Sequence, residues 1–197
     1  MKFLHILLVE EFLTVYMKAT GIVRRIDELG RVVIPKEIRR TLRLKDGDPV
    51  EIFTERDELM LKKYSPIAAL EQFSESTAKT LHDLTGMLSI ICDTDEVLYA
   101  CGDGRKSYMG RHLSDRMDKI LKDRRMYIAH RSDNAEIHPI VKAQEDEIAA
   151  EIVVPIIAGG DCLGAVVAIS HDGNARLESG TIKLCQLTAA ILAQQFE

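Results

Sequence analysis

KATGIVRRIDELGRVVIPKEIRR, residues 18–40, carries seven Lys/Arg against three Asp/Glu inside a chain of 197 residues whose net charge is −5. Its apolar positions fall into two extended runs, Thr20–Ile26 and Arg31–Ile34. Between them lies Asp27-Glu28-Leu29-Gly30, where glycine supplies the positive φ that a tight turn needs. Pro35 stands where a helix can open, because the first turn has no use for its missing N–H, and Lys36–Leu42 reads as that helix. Asp46-Gly47-Asp48-Pro49 is a loop, and Val50–Thr54 with Leu59–Lys63 reads as a hairpin across Glu55–Glu58. A unit of this size buries too little surface to stand alone. The pattern therefore implies obligate dimerisation with strands shared between chains.

The charge is unevenly placed. Residues 17–66 hold 12 Lys/Arg and 9 Asp/Glu, net +3, whereas residues 67–197 hold 13 and 20, net −7. Opposite signs imply two domains with different partners, with any DNA contact confined to the first. On the short helix Lys36, Arg39, Arg40 and Arg43 fall at i, i+3, i+4 and i+7 and share a face, with Ile38 and Leu42 on another. Arg24 and Arg25 come from the first strand, and Arg31 follows the turn. Guanidinium forks and ammonium groups suit phosphates and guanine edges. No recognition helix is long enough to fill a major groove, which favours backbone and shape readout. By composition alone the same residues fit equally well a solvated basic face paired with Asp27, Glu28 and Glu37.

Other chemistries find little support. Cys92, Cys101, Cys162 and Cys185 are widely spaced, without a C-x-x-C pair or histidines at finger spacing. The reading is four free thiols in a reducing cytoplasm, with no metal and no cofactor. No apolar stretch is long enough to cross a bilayer, so no membrane partner is expected. Met1–Val9 begins like a signal peptide, but Glu10 and Glu11 interrupt it and no small-residue cleavage site follows. Residues 1–16 are accordingly read as a non-native leader, with the start at Met17.

Ser65-Pro66 opens a helix expected to run to about Leu84. Leu70, Thr77 and Leu84 repeat every seven residues with Phe73 and Leu81 between them. That stripe suits pairing with a second copy and suits equally an ordinary helix packed on its own domain. From Gly86 the pattern changes. Met87–Cys92 and Val97–Cys101 read as strands around Asp93–Glu96, and Leu113–Lys122 as a helix. Ile152–Ile157 and Leu163–Ser170 form an apolar hairpin across Ala158–Asp161. Leu177–Phe196 is a closing helix whose apolar face runs through Leu177, Thr181, Leu184, Thr188 and Ile191. The fold class is α+β: a β module at 17–66, a linker and dimerisation helix at 67–85, and an antiparallel sheet flanked by helices at 86–197.

Gly21–Pro35 and the closing Leu61-Lys62-Lys63-Tyr64 carry a resemblance. Residues 17–64 resemble the AbrB-like transition-state regulators without a gap. The resemblance implies a swapped-hairpin dimer, binding of double-stranded DNA as a dimer of dimers (a homotetramer), and DNA contacts at Arg24, Arg25, Arg31, Arg39 and Arg40. Val154-Pro155-Ile156-Ile157 followed by Leu163-Gly164-Ala165-Val166-Val167 is similar to the hairpin of a GAF domain. GAF domains often bind small molecules beside the sheet, which implies an unknown small-molecule ligand. The Asn-Lys-x-x-x-Phe-x-x-x-Asp-Glu signature of the cyclic-nucleotide-binding members is absent. Arg105, Tyr108, Tyr127, His130 and His138 are unspecific candidates, and no ligand site is assigned.

The two modules together resemble regulators of late sporulation genes that raise or lower transcription, cytoplasmic and at the nucleoid. Two alternatives share these folds. An antitoxin-like DNA-binding autorepressor would end in a disordered tail, whereas residues 67–197 are patterned and apolar. A GAF-fold thiol reductase would need exposed thiols among Cys92, Cys101 and Cys162, two of which lie in apolar runs. With no Ser/His/Asp triad, P-loop or Rossmann fingerprint, no catalysis is expected.

Overall fold

Gly30 and Gly86 both adopt positive φ, +75° and +68°, at the first tight turn and at the end of the first long helix. The computed structural model describes residues 21–196, which fall into two compact units divided between Lys45 and Asp46. The leader 1–16, the start at Met17 and Thr20 lie outside the described residues.

In the first unit, the strands expected at Thr20–Ile26 and Arg31–Ile34 are not formed in the single chain: neither 21–26 nor 31–34 belongs to a strand. Apolar side chains stand in solvent along both runs, Val23 at 84% and Val33 at 74% exposure, and isolated extended segments with exposed apolar faces do not make a sheet. The turn is formed as expected, with Gly30 N–H donating to Asp27 O at 2.9 Å. Helix α1, Lys36–Thr41, is one residue shorter than expected, and Pro35 occupies its N-cap rather than its first turn.

The second unit begins with the hairpin β1 (Val50–Glu55) and β2 (Glu58–Lys63), in register from Val50↔Lys63 to Glu55↔Glu58. Ser65 Oγ then accepts the Ala68 N–H at 3.3 Å and caps α2, Pro66–Ala69. The single helix expected from Ser65 to Leu84 is broken: Leu70 leaves helical geometry (φ −96°, ψ 37°), and α3 runs over Glu71–Thr85. Leu70 has no side-chain oxygen to cap α3, and Ile67 on α2 is 0% exposed.

Strands β3 (Leu88–Cys92), β4 (Val97–Cys101), β5 (Tyr127–His130), β6 (Ala150–Ala158) and β7 (Asp161–Ser170) form one antiparallel sheet in the order β4-β3-β7-β6-β5. Strand β5 was not anticipated, because its four residues precede a long polar connection and carry no alternation of their own. The central strands are buried on both faces. On one face α3 and α5 (Ser179–Ala193) pack Ala78, Leu81, Cys185, Ala189 and Leu192 on Ile91, Ile152, Val154 and Val166. On the other, α4 (Asp115–Asp123) and the β5–β6 connection pack Met117, Ile120 and Ile140 on Ile90, Val153 and Val167. Strand β7 can approach β3 only because residue 164 is glycine: a Cβ there would lie 2.0 Å from the Cys92 carbonyl oxygen.

The remaining helix expectations need correction. Helix α4 starts at Asp115, capped by Ser114 Oγ, because Leu113 pairs with Val141 as a β-bridge instead. Helix α3 buries Ser74, Ala78 and Leu81 against its own domain, so of the expected stripe Leu81 lies on the buried face while Leu84 is 63% exposed. Helix α5 ends at Ala193 and buries Cys185, Thr188, Ala189 and Leu192, leaving Ile191 and Leu187 outside.

Candidate nucleic-acid interface

The tip of the first unit is built around one carboxylate. Asp27 Oδ1 accepts the N–H groups of Leu29 (3.0 Å) and Arg31 (2.8 Å), and its Oδ2 accepts Arg31 Nε at 2.7 Å. The backbone closes the same turn, with Asp27 N–H donating to Arg31 O at 3.0 Å. The hydrogen bonds from Arg31, backbone first and guanidinium second, hold the Asp27 carboxyl below the ordinary carboxylate range. Arg31 itself stays 71% exposed. The residues of this tip were legible as turn formers, and pairing of the basic residues with Asp27 was one of the two readings; that the same carboxylate also closes the turn was not.

Arg24 and Arg25 lie exposed on the extended run before the turn, with Arg24 Nη1 donating to the Val23 carbonyl at 3.1 Å. On α1, Lys36 and Arg40 are exposed and Arg39 is half-buried beside Ile38. Arg43 does not extend their face, as the spacing had suggested. The helix has already ended, and Arg43 sits in left-handed geometry at φ +53°. Leu44 N–H donates to Arg39 O (2.8 Å) and Arg43 N–H to Arg40 O (3.3 Å), the Schellman arrangement that usually places glycine at this position. Arg43 is half-buried there.

The five polar candidates of the sheet domain do not converge. Arg105 follows β4 at one edge of the sheet, while Tyr127 and His130 lie on β5 at the other. Arg105 lines an open groove of about 460 Å³ with Glu75, Lys79 and Tyr99. Tyr108 is fully buried and donates its hydroxyl to Asp146, which also meets His171 Nε2 at 2.8 Å. Tyr127 stacks on His138 at 4.8 Å and donates to the Glu136 carbonyl. His130 Nδ1 accepts the Ser132 N–H, and Ser132, not His130, reaches Asp133.

The thiols are placed for packing. Cys92 and Cys185 are fully buried; burial pushes the Cys185 thiol to about 11 and raises Cys92 and Cys162 as well. No group of three metal-binding side chains occurs among the described residues, and no described helix is long and apolar enough to cross a membrane.

Comparison with known proteins divides the chain at residue 69, beyond the hairpin β1–β2, rather than at Lys45. Residues 23–69 match the family described as antidote-toxin recognition MazE, bacterial antitoxin, and residues 69–197 match stage V sporulation protein T C-terminal, transcription factor. The transition state regulatory protein AbrB of Bacillus subtilis (strain 168) is 57% identical over 51 residues, covering 26% of this chain and 53% of AbrB. Stage V sporulation protein T of the same organism is 42% identical over 182 residues, covering 92% of this chain and 99% of its own length. Among solved structures, the cyanobacteriochrome receptor PixJ superposes with a TM-score of 0.52 at 14% identity, over 66% of this chain and 96% of that one, a likeness of fold alone. With an AbrB-like module followed by the sheet domain, and with stage V sporulation protein T matched along nearly its whole length, the chain belongs to the stage V sporulation protein T family of transcription factors.

Proposed function

We propose that this protein is a transcription regulator that binds double-stranded DNA through its first module, activating some late sporulation genes and repressing others. The observation that carries the reading is the exposed arginine set of residues 24–40, on a module 57% identical to AbrB over 51 residues. Arg24, Arg25, Arg31, Lys36, Arg39, Arg40 and Arg43 form the contact set, with Arg39 and Arg43 the members most engaged with their own fold. The domain limits are 17–66, 67–85 and 86–197, and the protein acts in the cytoplasm at the nucleoid.

The module works as a dimer, and the assembly is a dimer of dimers. Support comes from the exposed apolar side chains Val23, Ile26 and Val33 of the first module and from the exposed Leu84, Leu187 and Ile191 on α3 and α5. The sheet domain is a sensor and assembly domain without catalysis, which agrees with the burial of Cys92 and Cys185. Because residues 69–197 form a folded domain rather than a tail, the antitoxin reading is second.

Fluorescence anisotropy with duplex DNA across a salt series tests the proposal. Wild-type binding is expected to be steeply salt-dependent. Arg24→Ala and Arg40→Ala, both exposed, should each lower the log–log salt slope by about one while leaving folding intact. Unchanged slopes in both variants would assign the arginines to a solvated surface.

A further inference from the structure

We infer that Asp27 is a positioning residue for DNA recognition: it braces Arg31 so that the outer edge of its guanidinium faces the duplex. The inference rests on the reading of Arg31 as a DNA contact. Asp27 Oδ2 takes Arg31 Nε at 2.7 Å, which uses the inner edge of the guanidinium. Among the described residues the two terminal nitrogens have no partner, and the side chain is 71% exposed. What remains is a planar fork of N–H donors, the geometry that meets guanine O6 and N7, or two phosphate oxygens, bidentately.

The anchor is itself fixed. Asp27 Oδ1 is held by the N–H groups of Leu29 and Arg31, so the carboxylate cannot swing with the side chain it holds. An ion pair this exposed contributes little to stability. Its main physical effect is to restrict an arginine that would otherwise sample many rotamers before each encounter. A carboxylate beside a phosphate backbone also costs attraction, and that gives the test its sign.

Asn at position 27 keeps an oxygen for the two backbone N–H bonds but places an NH2 where Nε needs an acceptor. It preserves the turn and removes the brace and the negative charge together. If Asp27 were only a surface charge, Asp27→Asn would tighten binding to all duplexes alike. If it positions Arg31, the variant loses preference for a chosen sequence. The probes are a duplex enriched from a randomised pool by the wild-type full-length protein, and a random duplex of equal length.

The expected result is an approximately tenfold fall in the ratio of selected to random affinity for Asp27→Asn, within the range of one bidentate base contact. Arg31→Ala should lower the ratio by at least as much, and Asp27→Asn added to Arg31→Ala should change it no further. A tighter Asp27→Asn with its ratio unchanged, while Arg31→Ala still loses the ratio, overturns the brace and leaves Arg31 as a contact. An Arg31→Ala protein that binds both duplexes like wild type overturns the contact itself. A thermal melt of each variant, expected to match wild type, confirms that the module is folded.

Discussion

Glu151 is a carboxylate buried in the sheet domain. It is 0% exposed on β6, with Oε1 accepting the His138 N–H at 2.9 Å and Oε2 buried without a partner. Burial pushes its carboxyl up, the His138 N–H opposes this, and the Glu136 charge adds to it, for a value of about 7. The folded state therefore keeps a proton that the unfolded chain gives up near pH 4.5. The associated stability is complete below that pH, falls as pH rises, and is gone above about 7, a loss on the order of 3 kcal/mol. Urea unfolding at pH 5, 6.5 and 8 should show this decline, and Glu151→Gln should flatten it. Nothing local marked Glu151 as buried. His138 was noticed for its ring, yet it is its backbone N–H that meets the carboxylate.

At the scale of elements, Lys63 ties the hairpin β1–β2 to the sheet domain. Lys63 Nζ pairs with Asp48 at 3.0 Å and with Asp95 in the β3–β4 turn, the three side chains being 18–21% exposed. Burial works against the ammonium, but Asp95 and Asp48 outweigh it and hold its pKa above the ordinary range. The turn is tied further in, because Leu113 N–H donates to Asp95 O at 2.8 Å. A two-stranded hairpin with Ile52 and Leu59 more than 60% exposed is marginal by itself, so this clamp should govern its order. Lys63→Met leaves the largely buried Asp95 without its ammonium and is expected to cost about 2 kcal/mol. Hydrogen exchange should rise over 50–63 while β3, β6 and β7 stay protected. The hairpin and the strands β3, β4, β6 and β7 were legible because apolar residues and turn formers alternate over short spans. The break at Leu70 and strand β5 were not, since each depends on what a distant segment packs against.

For the whole molecule, the apolar surface left on α3 and α5 sets the expectation for assembly. Leu187 is 56% and Leu84 63% exposed, beside the half-hidden Phe73 and Ile191. Light scattering of the full-length protein should give the mass of four copies. Leu187→Glu with Ile191→Glu should reduce it to two without unfolding the sheet, since neither side chain belongs to the buried cores. The sequence by itself determined the two-module order, the Asp27–Gly30 turn, the basic character of the first module and the doubly buried central strands. These follow from turn chemistry, charge and alternation among neighbouring residues. Only the tertiary structure decided which helix faces are buried, where Arg43 leaves the α1 face, and that the ligand candidates stand at opposite sheet edges. It also decided that residues 21–26 and 31–34 do not form strands among the described residues. Those outcomes depend on surfaces brought together from remote parts of the chain, or from a second chain, and no local pattern encodes which surface arrives.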